Sequence, residues 1–264
     1  HGRTLATLSA TGNRKVQAGF EPLVHGLARV PYGDLDALES AAHNLKSVAA
    51  VLVEPIQGEG GVNVPPDDYL TGIRSLCDKQ GWLMMLDEIQ TGMGRTGKPF
   101  AYQHFDLKPD IMTLAKALGN GVPVGACLAR GEAADLFAPG SHGSTFGGNP
   151  LACAAGMAVL DAMEGENLSE HAAGLGEQLL KGFRQRLGEL EGVTDIRGRG
   201  LMIGIELNRP CAELVNQALD AGLLINVTAE RVVRLLPPLV MTESEAEQLL
   251  DGVSSLIEQF LASE

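Results

Sequence analysis

The chain has 264 residues, enough for one large domain or for a medium domain with a small companion. Apolar residues make up 45% and charged residues 20%, a balance that builds a packed core and excludes wholesale disorder. Twenty Lys and Arg against 33 Asp and Glu leave a net charge of −13, which argues against sequence-independent nucleic-acid binding and against an anionic membrane surface, since both need basic patches.

Thirty-three glycines exceed the usual share of ~7%, and aromatics are scarce at 4%, a composition suited to an α/β enzyme with many tight turns. The four cysteines, at 77, 127, 153 and 211, form no CxxC or Cys/His cluster. Reduced thiols and a cytoplasmic setting are therefore expected, with no zinc site or disulfide framework. No apolar run approaches the ~20 residues of a membrane-spanning helix. The chain opens on His1 rather than Met, so a fragment or processed product is expected.

In chain order, Asp34–Asn44 has helical apolar spacing behind an Asp cap. Val48–Val53 (VAAVLV) is a β-prone run, the pattern of a strand buried on both faces of a parallel sheet, and it ends in Glu54-Pro55. Pro65-Pro66-Asp67-Asp68 opens a helix to about Lys79, and Trp82–Leu86 is a second buried strand ending in Asp87-Glu88. Asp110–Leu114 and Val124–Ala129 are further strands, and Asn149-Pro150 starts a long Ala-rich helix.

From about Asn167 the pattern changes. A helix to Leu190 precedes strands at Val193–Ile196 and Leu201–Leu207, a helix from Pro210 to Ala221, strands near Leu223–Val227 and Val232–Leu235, and a last helix over Glu243–Leu261. The expected fold is α/β: a mainly parallel sheet with helices on both faces over residues 1–165, then a small α+β domain over 166–264. Ligands of such sheets bind at the carboxyl ends of the strands.

Several residues there carry chemistry. Lys116 becomes a nucleophile for Schiff-base chemistry if desolvated; otherwise it is a lysine at a helix end. Asp87, with Gln90 three residues on, could ligate a metal, act as a base or pair with a protonated ring nitrogen; no His is spaced to complete a metal site, so no metal is expected. The Gly/Ser/Thr-rich stretch Gly140–Pro150 leads into a helix and suits an anion, although it is neither a Walker A loop nor a dinucleotide fingerprint. Glu59 sits among glycines that permit close ligand approach. Arg3 and Arg234 are candidate carboxylate forks.

Long stretches resemble the class III pyridoxal-phosphate aminotransferases of fold type I, above all the acetylornithine/ornithine subfamily. They are HGRT at 1–4, EPIQGEGGV at 54–62, LDEIQTGMGRTGK at 86–98, TLAKALGNGVPVGA at 113–126, HGSTFGGNPLACAA at 142–155, DIRGRGLMIGIEL at 195–207 and VVRLLPPLV at 232–240. The resemblance implies a pyridoxal 5'-phosphate enzyme with Lys116 and Asp87 catalytic: Lys116 carrying the cofactor and shuttling the proton, Asp87 pairing with its ring nitrogen, and Gln90 near its phenolic oxygen. Thr145 would bind the cofactor phosphate of the neighbouring subunit, and Ser144 would contact substrate across the same homodimer interface. Arg3 would grip the distal carboxylate of glutamate and Arg234 its α-carboxylate, with Glu59 covering Arg234 when the donor brings no carboxylate there.

The activity so implied moves the terminal amine of N-acetylornithine to 2-oxoglutarate, in arginine metabolism. The alternatives are an ornithine, succinylornithine or 4-aminobutyrate aminotransferase, an aminomutase or racemase on the same scaffold, or an inactive chain that serves only as a dimerisation module. Family chains carry a further long segment before HGRT, including part of the cofactor cradle, so the large domain is expected to be incomplete.

Overall fold

A computed structural model describes residues 1–263. Two short helices lead in, α1 (Leu5–Ala10) and α2 (Arg14–Gln17); they are too brief to show a periodic pattern and were not anticipated. Helix α3 (Leu35–Asn44) starts where expected, with the Asp34 carboxylate accepting from the Ala37 N–H at 2.8 Å. Helix α4 (Tyr69–Gln80) ends on Gly81 in the left-handed conformation, φ 69°.

The first sheet has the order β1 (Ala50–Val53), β2 (Leu83–Asp87), β3 (Ile111–Leu114) and β4 (Ala126–Ala129). The first three strands run parallel and β4 pairs antiparallel with β3, which makes the sheet mainly parallel. Helices α3 and α4 cover it, with Leu38, Leu70 and Ile73 in one buried cluster with Met84 and Leu86 of β2. The apolar run of β1 is not buried on both faces as its composition suggests: Leu52 is 47% exposed, because β1 forms an edge of the described sheet. Strand β2 alternates between buried and half-buried positions for a related reason, having one better-covered face.

Helix α5 (Pro150–Gly165) has Asn149 as its cap and Pro at its first turn. After Glu166 and Asn167 the chain enters α6 (Leu168–Leu187) and an antiparallel sheet ordered β5 (Val193–Arg199), β6 (Met202–Leu207), β8 (Val232–Leu235), β7 (Asn226–Thr228). Helix α7 (Leu214–Asp220) is shorter than the expected Pro210–Ala221, since Cys211 turns to pair with Glu230 outside the helix. Helix α8 (Glu243–Ala262) opens on a capping box between Thr242 and Glu245. Phe183, Leu179, Ile203, Ile205, Val233 and Ile257 belong to the largest buried cluster among the described residues, between α6, α8 and this sheet.

The two regions meet through backbone as well as side chains. A Cβ on Gly176 of α6 would collide with the Gly200 carbonyl, and one on Gly200 would lie 2.5 Å from the Thr96 carbonyl carbon. Arg95 donates to the carbonyls of Leu201 (3.1 Å) and Pro237. Burial lowers its pKa to about 10.

Candidate active site

Strand pairing sets the first part of the site. Asp87 closes β2 and pairs in register with Thr113 of β3, three residues before Lys116, so carboxylate and lysine leave adjacent parallel strands at their carboxyl ends. Asp87 is buried. One of its oxygens accepts from the Ile89 N–H at 3.2 Å. Buried at the carboxyl end of β2, the carboxylate is suited to pair with a cationic N–H.

Lys116 begins a short 3-10 turn, Lys116–Leu118, with φ 48°, a left-handed conformation uncommon for a residue with a side chain. Such strain recurs at functional sites. Beside it opens a cavity of about 400 Å³ lined by Ala117, Asn120, Val122, Pro123 and Val124. Desolvation lowers the lysine pKa and the Arg234 cation adds to this, while Glu59 and Glu54 oppose it. The side chain keeps contact with solvent, and its pKa lies below that of an ordinary lysine.

The second part joins the two regions. Arg234 on β8 is buried, and its Nη1 donates to Glu59 Oε1 at 2.9 Å and to Gln90 Oε1 at 3.2 Å. Gln90 Nε2 donates to Glu59 Oε1 at 3.3 Å, and Arg234 Nη2 to Asn226 Oδ1 at 2.9 Å. Burial pushes the Glu59 pKa up, but the Arg234 and Gln90 hydrogen bonds outweigh it and hold the carboxyl below its ordinary value. Gln90 fits only because residue 58 is glycine: a Cβ there would overlap the Gln90 carboxamide.

Lys116, Asp87, Gln90, Glu59 and Arg234 are therefore linked by adjacent strand ends, by hydrogen bonds or by mutual electrostatics. Arg3, Ser144 and Thr145 are not joined to them: all three are exposed, and Ser144 Oγ accepts from the Gly147 N–H at 3.0 Å in its own loop. Sequence reasoning missed Asn226, whose contact with Arg234 depends on cross-strand register. It also missed Glu88, a fully buried carboxylate that accepts from Thr91 Oγ1 and from the N–H groups of Ala101 and Tyr102; that pattern had no signal beyond adjacency to Asp87. Among the described residues no group of three or more His, Cys, Asp or Glu could hold a metal.

Such a set can hold a cationic ring nitrogen, present an amine to a carbonyl and bind a carboxylate. Comparison with known proteins agrees. The chain is 58% identical over its whole length to an acetylornithine aminotransferase of Nitrosomonas europaea and 48% identical over 97% of its length to one of Methanothermobacter thermautotrophicus. It spans about two thirds of these relatives, 67% and 65%. Among solved structures, it superposes on an ornithine aminotransferase of Toxoplasma gondii with TM-score 0.94 and 38% identity, covering all of this chain and 63% of that one. For an acetylornithine aminotransferase of Elizabethkingia anophelis the values are 0.84 and 42%, covering 90% and 64%. The family model for class-III aminotransferases matches residues 1–257, and the chain belongs to that family.

Proposed function

We propose that this chain carries the catalytic lysine and the carboxylate-reading arginine of an aminotransferase that moves the terminal amine of N-acetylornithine to 2-oxoglutarate, giving N-acetylglutamate semialdehyde and glutamate. The observation that carries the reading is the buried Arg234 covered by Glu59 beside Lys116. One pocket must accept a dicarboxylate in one half-reaction and an ω-amine in the other, and an arginine with a removable carboxylate partner meets both needs.

The residues fit pyridoxal phosphate, the family's cofactor: Asp87 is a buried carboxylate at the end of β2, and Lys116 offers a part-desolvated amine just past the neighbouring strand end. When bound, the cofactor supplies the electron sink and the carbonyl that receives the amine. Asp87 keeps a proton on the ring nitrogen, Lys116 Nζ takes and returns the substrate proton, and Gln90 orients Glu59 and Arg234. Arg234 holds the α-carboxylate of glutamate once Glu59 withdraws, and Arg3 holds the distal one. Thr145 and Ser144 act across a homodimer interface on the partner's cofactor phosphate and substrate. Residues 1–165 serve as the cofactor-binding domain and 166–264 as the small domain, in a cytoplasmic enzyme of arginine metabolism.

Borohydride reduction with pyridoxal phosphate followed by peptide mapping tests the core of this reading. A cofactor adduct on Lys116 is expected; an adduct on other lysines alone overturns it. Ornithine is the second donor to weigh, favoured by the likeness to ornithine aminotransferase structures. A preference for ornithine over acetylornithine of more than about tenfold, or 1.4 kcal/mol, would reassign the donor.

A further inference from the structure

Glu59 rides on a tight loop, Gly58–Val62, closed at its base by reciprocal Gln57–Asn63 backbone hydrogen bonds of 3.1 and 3.0 Å. Gly61 and Val62 both have positive φ, 117° and 51°. For a β-branched residue this is a strained conformation. Val62 is nevertheless fully buried against Ile56 and Met202, and something must hold it there.

The holding element is one cross-strand row of the second sheet. Arg197 of β5 pairs in register with Gly204 of β6, Gly204 with Arg234 of β8, and Arg234 with Asn226 of β7. Residues directly opposite one another share a face, so two arginines flank a glycine. The loop lies over that glycine, where an added Cβ would approach Val62 Cβ to 2.9 Å. On one side Arg234 grips the Glu59 carboxylate.

On the other side Arg197 grips the loop's backbone. Its Nε donates to the carbonyls of Gly61 (3.2 Å) and Val62 (3.0 Å), and its Nη2 to Gly61 (2.6 Å). Asp195 and Glu206 accept from Nη1 at 2.8 and 2.6 Å and so fix the guanidinium. Thr228 Oγ1 donates to the Glu59 carbonyl as a second anchor.

We infer that Arg197 is a positioning residue for substrate discrimination: by clamping the strained Gly61–Val62 carbonyls it sets the Glu59 carboxylate on Arg234, and it thereby governs the choice between ω-amine and dicarboxylate. The inference rests on the two-substrate reading of the Glu59–Arg234 pair.

The test measures the acetylornithine and glutamate half-reactions separately in the holoenzyme. Glu59→Gln lowers the acetylornithine-to-glutamate ratio of kcat/KM. Arg197→Met lowers it by about tenfold, the scale of a lost charged hydrogen bond, through the KM for acetylornithine, and it tightens glutarate binding measured by calorimetry. Arg197→Lys keeps the charge without the fork and gives an intermediate shift, and it stands in if the Met variant does not fold. In the Glu59→Gln background Arg197→Met changes the ratio no further, because it acts through Glu59. A purely structural role would slow both half-reactions equally and compound with Glu59→Gln; either result overturns the inference. If Glu59→Gln itself leaves the ratio unchanged, the two-substrate reading has failed and the inference falls with it. If Glu59→Gln shifts the ratio and neither Arg197 variant does, the inference alone has failed.

Discussion

The two sheets divide their work differently. In the C-terminal region β8 is buried along its whole length and β6 nearly so, although β8 contains an arginine. In the first region the apolar β1 is only part-buried, and β4 keeps most of its residues exposed. The first sheet offers strand ends bearing Asp87 and Lys116; the second offers a rigid wall from which Arg234 and Arg197 reach across. Arg234 bonds Glu59 and Gln90, and Arg197 bonds the carbonyls of Gly61 and Val62, so side chains of the second sheet fix groups of the first region.

That contrast can be broken most sharply at Lys116. Lys116→Ala is expected to cut turnover by at least about a thousandfold, the range of a lost acid–base group, with the unfolding midpoint unchanged; activity assays beside urea denaturation check both. Next in size is the packing difference. Phe183→Ala, in the second region's core, should cost roughly 3–5 kcal/mol, whereas Leu52→Ala on the exposed β1 should cost less than about 1 kcal/mol. Equal losses in urea unfolding would show that the two layers are packed alike.

The junction comes third. Gly176→Ala drives a methyl into the Gly200 carbonyl and should destabilise by about 1–3 kcal/mol; an unchanged midpoint would mean that the regions part easily. The smallest effect is electrostatic. Glu59 raises the Lys116 pKa, so Glu59→Gln should lower it, leaving more free amine at a given pH. The pH dependence of Lys116 acylation in cofactor-free protein, read by mass spectrometry, gives the sign.

Much of this was legible in the residues. Helices announced by a cap or by a proline, at Asp34 and Asn149-Pro150, begin within a residue of the expected point, because those signals act locally. Burial was less legible. VAAVLV looked fully covered, yet β1 is only part-buried, since coverage depends on what packs above a strand. The Glu59–Arg234 contact was anticipated through family resemblance, while Arg197 and Asn226 were not. Their roles arise from the register of four strands, a long-range property that no short motif encodes.

Arg95 and Arg197 form a reciprocal pair, one reaching from the first region to the carbonyls of Leu201 and Pro237, the other from the second region to those of Gly61 and Val62. These four acceptors are main chain. Mutational drift at the receiving positions cannot delete a carbonyl, so each contact depends for its identity on a single codon, that of the arginine. Side chains at 201 and 237 are free to change as far as these bonds are concerned, and the joint between the regions can outlast extensive divergence of the surfaces around it.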